Sequence, residues 1–140
     1  LKDFGARYDA ALTAALLKRL GVQPLDAAAD SAVAVALMTA LEASGVGLDS
    51  FWFDWRGGKL RRNHGAYVHP GFVALAAALE NHVSAGNLSH PYWADATPCS
   101  LLIDEIEAIW AAIAERDDWA PLKDKVAAIR RMGEAMGTQP

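Results

Sequence analysis

Cysteine is almost missing from this chain, and strand-forming segments are scarcer still. The single cysteine, Cys99, excludes an internal disulfide and fits a reducing cytoplasm. Basic charge is also short. Thirteen Lys and Arg against seventeen Asp and Glu give a formal charge of −4, which weighs against nucleic acid as the main partner because phosphate binding needs a positive field. The longest unbroken apolar runs, 32–38 and 72–79, fall short of the ~18 residues that span a bilayer, and no basic-then-apolar leader opens the chain, so no membrane partner is expected. Period-two runs of Val, Ile, Thr and Tyr, the mark of half-buried strands, are nearly absent.

What is present is alanine, 29 times in 140 residues, together with a helical period. A hydrophobic share of 53% supports a core, and the length fits one domain, residues 1–140. The first residue is Leu1 rather than Met, and the chain reads as a piece of a longer protein.

Asp3 can cap a first helix with Phe4, Tyr8, Leu12, Leu16 and Leu20 at i+4 steps, stopped by Gly21. A second helix starts near Ala28, carries Val33, Leu37 and Leu41, and ends at Gly45. Asp49 or Ser50 caps a short aromatic helix halted by Gly57-Gly58, and Pro70 opens a fourth with Phe72, Leu75, Ala76 and Leu79 inward. Residues 81–96 read as a connecting loop, packed down by Pro91-Tyr92-Trp93. Thr97-Pro98 opens the fifth helix, with Leu102, Ile106, Ile109 and Ile113 inward. Asp118 caps the sixth, striped by Leu122, Val126, Ile129 and Met132/Met136 and ended by Gly137. Trp110 and Trp119 are expected to close the packing of the last two helices, which would make Trp110→Ala cost about 3–5 kcal/mol. The expected fold is all-α, a single compact bundle of five or six helices in antiparallel or orthogonal packing, with close contacts at small residues.

Chemistry-bearing residues are few. The acids Asp104, Glu105, Glu107, Glu115, Asp117 and Asp118 lack the Glu-x-x-His pattern of a di-iron bundle, and a solvated face favoured by the helix dipole accounts for them. His64, His69, His82 and His90 match no finger or H-E-x-x-H spacing and read as loop or helix-end residues, with no metal site. Cys99, read as lying in the first turn of a helix, has a position that can lower a thiol pKa, but no base is visible beside it. Gly57-Gly58-Lys59 is not a phosphate loop, since no Gly stands four positions upstream and Leu60 replaces the magnesium-binding hydroxyl. The segment 51–62 sets aromatics before a basic cluster. It fits either core aromatics with a wet basic loop or a docking surface made of Phe51, Trp52, Trp55, Arg56, Lys59, Arg61 and Arg62; a nucleotide or nucleic-acid site is the weakest of the three. No catalytic, cofactor-binding or metal-binding residue is assigned.

The stretches FWFDWRGG, PCSLLIDEIEAIWAAIAERDDW, KVAAIRRMGEAMG and FGARYDAALTAALLKRLGV resemble the C-terminal end of the selenoprotein O (SelO/YdiU) family in its alphaproteobacterial form. The resemblance implies a parent protein in which an upstream kinase-like domain transfers AMP from ATP to protein hydroxyls with magnesium. The family's His-Gly-Val-x-Asn-Thr-Asp-Asn and Asp-Tyr-Gly-Pro motifs do not occur here, so it carries no catalytic residue onto this sequence. The Cys or selenocysteine near the C-terminus of many relatives has no counterpart in Gly137-Thr138-Gln139-Pro140. The function expected is a non-catalytic C-terminal helical module whose partner is that kinase-like domain or another protein. The alternative is a free-standing helical interaction or ligand-binding domain.

Overall fold

A computed structural model describes residues 3–62 and 65–137. His64 and the tail after Gly137 lie outside the described residues. Those residues form six α-helices and one short 3-10 helix, with no strand among them beyond an isolated bridge between Val22 and Ser84. The helices are α1 (Phe4–Leu20), α2 (Ala27–Ser44), α3 (Leu48–Asp54), α4 (Pro70–Ala78), α5 (Ile103–Arg116) and α6 (Ala120–Met136). Backbone contacts divide the chain at Gly86/Asn87 into two compact units, inside the segment that the sequence marks as a connection.

In the first unit α2 packs against both α1 and α4. Its N-cap Asp26 accepts hydrogen bonds from the Ala28 and Ala29 N–H groups, and Gly45 ends it in the left-handed conformation. Val33, Leu37 and Ala40 reach a core completed by Leu17, Leu20, Phe51, Trp55, Phe72 and Leu75. At Gly71 a Cβ would come 2.9 Å from the Ala40 Cα, so α2 and α4 cross where neither carries more than a methyl group. Over its 18 residues α2 has a mean hydropathy of 1.3, enough by length and composition to cross a bilayer. Counting unbroken runs passed over this helix because Asp30, Ser31, Thr39 and Glu42 interrupt it. Asp30 is not idle, since its Oδ1 lies 2.9 Å from the buried His82 Nε2 and accepts the Leu25 N–H.

The end of α1 is closed by residues far along the chain. Gly21 and Val22 donate their N–H groups to the Lys18 and Leu17 carbonyls, the paired bonds of a Schellman turn. Arg56 Nη1 then donates to Lys18 O at 3.2 Å and to Arg19 O at 2.8 Å, and Gly57 N–H donates to Leu20 O at 2.7 Å. All four carbonyls of the last turn are thereby satisfied, by a cation placed where the helix dipole is negative. Burial pulls the Arg56 guanidinium below its ordinary pKa.

The second unit holds the 3-10 helix Pro91–Ala94, α5 and α6. Tyr92 and Trp93 are buried edge to face with centroids 5.0 Å apart, and the Trp93 indole N–H donates to Asn87 O at 2.8 Å. Arg131 of α6 lies over the Tyr92 ring and pairs with Asp95, Nη2 to Oδ1 at 3.0 Å. Lys125 ties α6 to the start of α5 through Ser100 O, at 2.9 Å, and the Glu105 carboxylate.

Four expectations need correction here. α5 begins at Ile103, with Leu102 as its cap, and not at Thr97-Pro98. Its inward positions are Glu105, Ile109, Ala112 and Ile113, whereas Leu102 and Ile106 are exposed. Trp110 and Trp119 are exposed as well: Trp110 lies opposite Glu105 and Ala112, the α5 positions turned inward, and Trp119 sits at the cap of α6 with its indole N–H donating to Asp117 Oδ1. On α1 the buried residues are Leu17 and Leu20, while Phe4, Tyr8 and Leu12 of the same stripe face solvent.

Arg56→Ala is expected to lose about 2–3 kcal/mol in denaturant unfolding, since it removes charged hydrogen bonds to two carbonyls. Gly21→Ala should cost at least ~1 kcal/mol, because its φ is +71° and the new methyl would sit 2.7 Å from Arg56 Nε. Midpoints equal to the parent's in both variants would contradict this closure of α1.

Candidate functional site

The aromatic helix α3 and the turn behind it were the sequence's best candidate for a surface. The structure buries most of it. Phe51, Trp52, Trp55 and Arg56 are all buried, so as a docking surface these four are a correction: they are core. The reason is local. With Gly47 as cap, the helix has only seven residues, and Gly57 and Gly58, both at positive φ, turn the chain straight back under α1. A Cβ on Gly58 would meet the Val22 side chain at 2.7 Å, so the turn lies tight against the core and only glycine fits there.

Phe51 stacks near Trp55 and Phe72, and Tyr67 meets Phe72 edge to face with centroids 4.9 Å apart. The Arg61 and Arg62 guanidinium groups lie 4.9 and 5.1 Å from the centre of the buried Phe53 ring, which holds them half-buried against the protein. Arg61 also donates to Phe53 O. Only Lys59 of the seven residues is fully exposed. It stands at a cavity of about 630 Å3 whose walls include Trp55, Leu60, Tyr67, Phe72, Leu79 and Glu80.

Beside this cavity Asp54 is buried and accepts the Tyr67 hydroxyl proton in a 2.7 Å hydrogen bond. Burial, then the bond to Asp54 and its negative charge, push the Tyr67 hydroxyl well above its ordinary pKa.

The remaining candidates lie apart. His69 caps α4, its Nδ1 accepting from Gly71 N–H, and His90 caps the 3-10 helix in the same way through Tyr92 N–H, each at 3.1 Å. His82 is bound to Asp30. Among the described residues no group of three His, Cys, Asp or Glu gathers as a metal site. Cys99 is half-buried in coil, four residues before α5, and its N–H donates to the Tyr92 hydroxyl oxygen at 3.0 Å. The expectation that Cys99 sits in a helix's first turn is therefore corrected, and the dipole argument for its thiol lapses. Asp104 and Glu105 occupy the first turn of α5, where the dipole favours them.

Sequence reasoning missed the outer face of α5. Leu102, Ile103, Ile106 and Trp110 are exposed there, Ile103 by 67% and Trp110 by 66%. The signal was available. Six large apolar residues between 102 and 113 span a wider arc than one buried stripe needs. No family model, curated protein or solved structure matches this chain.

The Tyr67 proton is held more tightly in the folded chain than in the unfolded one. The stability this contributes is complete below about pH 10 and is lost as the pH rises further. The parent is therefore expected to lose stability above about pH 10 more steeply than Tyr67→Phe in parallel urea titrations. Identical slopes would refute the assignment.

Proposed function

We infer that this chain is a non-catalytic helical module that works by packing against protein, as the C-terminal region of a SelO-like protein adenylyltransferase would. In that reading AMP transfer from ATP and magnesium belongs to a kinase-like domain that is the module's partner, and the module acts in the cytoplasm. The observation that supports it most is the outward stripe of α1. Phe4 is 69% exposed and Tyr8 57%, on a helix whose far end, Leu17 and Leu20, is core. An aromatic stripe left in water has apolar area still to bury, and a partner surface supplies the burial.

A second reading, a small-molecule-binding domain, has its own support. The cavity at Lys59 is within the usual size of ligand sites and mostly apolar-walled, and the buried Trp55 indole N–H has no hydrogen-bond partner among the described residues.

Mixing the chain with a separately produced SelO-type kinase-like domain separates the two. The module reading expects a one-to-one complex by light scattering, weakened at least about tenfold by Tyr8→Ser, and no AMP transfer by the chain alone. AMP transfer by the isolated chain, or no complex, would end this reading.

A further inference from the structure

We propose that the outward face of α5 is a docking site for a basic amphipathic helix of another protein. This goes beyond the module reading above and holds whether or not a kinase-like partner exists.

The face is built by the helix itself. At 3.6 residues per turn, Ile103, Ile106 and Trp110 fall within an arc of roughly 60°, almost opposite the inward Glu105 and Ala112. All three are exposed, and Leu101 and Leu102 extend the same exposed apolar strip past the helix start. A tryptophan anchor amid aliphatic neighbours is the composition of a binding centre, where one buried indole carries much of the affinity. The strip also has helical spacing, which suits a second helix laid along it with anchors at i, i+3 or i+4, and i+7.

Charge selects the occupant. Glu107 and Asp104 lie to one side of the strip and are exposed. Glu105 is engaged by Lys125 and Glu115 by Arg116, which leaves Asp104 and Glu107 as the exposed acids beside the strip. A helix that lies on lipid carries Lys and Arg beside its apolar face, and an anionic membrane repels this edge instead. Nucleic acid is repelled for the same reason. In an antiparallel pair with a second copy of α5, two-fold symmetry would set the acidic edge against itself. A helix with Leu or Ile anchors and a Lys- or Arg-rich flank satisfies both the strip and its edge.

The test uses two synthetic peptides of about 18 residues with one Leu/Ile stripe at helical spacing, flanked by Lys in one and by Glu in the other. Each is titrated calorimetrically into the full chain. The Lys peptide is expected to bind at least about tenfold more tightly than the Glu peptide, and less tightly as salt rises from about 0.05 to 0.5 M. Trp110→Ser and Ile106→Ser should each weaken it by at least about tenfold, and Trp110→Ser, at a side chain 66% exposed in the free chain, should leave the circular-dichroism melt unchanged. Equal affinity for the two peptides, or no binding at about 1 mM, would overturn the proposal. So would sedimentation showing a dimer that Trp110→Ser dissolves, or Trp110-dependent binding to phosphatidylserine vesicles in preference to the peptide.

Discussion

The carbonyls that end α1, a turn half in the core and half at the surface, are satisfied by donors from far along the chain, and this shapes the middle of the first unit. A helix end leaves four carbonyls without intrahelical partners, and each costs on the order of 1–3 kcal/mol if it is buried and left bare. Arg56 and Gly57 supply the missing donors. For them to arrive there, α3 must be short, the chain must turn at two glycines in the left-handed region, and Phe51 and Trp55 must enter the core on the way. The aromatic helix is thus the lever that brings a guanidinium to the end of α1.

That constraint also explains the double character of the basic segment. One guanidinium is consumed by the fold, two more lie on the Phe53 ring, and Lys59 alone projects to water. The apolar residues left exposed are instead on α1 and α5, in each case on a helix whose other side is covered. The two surfaces belong to different units, and that of α5 has the exposed acids Asp104 and Glu107 beside it.

Much of the fold was legible from residue order. Helix content followed from alanine and from 3.6-residue spacing. Gly21, Gly45 and Gly137 stop α1, α2 and α6 as read, and all three adopt the left-handed conformation that favours glycine. The start of α5 was misjudged because Pro98 looks like a first helical residue, whereas the helix waits for the acids at 104 and 105. The orientation of helices was harder than their existence. An i+4 series such as Phe4-Tyr8-Leu12-Leu16-Leu20 marks a face, yet nothing local tells which part of that face another element will cover. The roles of Arg56 and Tyr67 were out of reach for a related reason. Arg56 bonds to carbonyls 37 and 38 positions away, and Tyr67 to a carboxylate 13 away, and no periodic pattern encodes such pairs.

The crossing of α2 and α4 has a consequence for how this chain can vary. Gly71 touches Ala40 one residue after Pro70 and two after the capping His69, so a tight contact between the two helices lies where α4 begins. The helix is pinned at its origin. Inserted or deleted residues would shift that origin out of contact, so changes in the length of α4 are confined to its far end, beyond the anchoring Leu75.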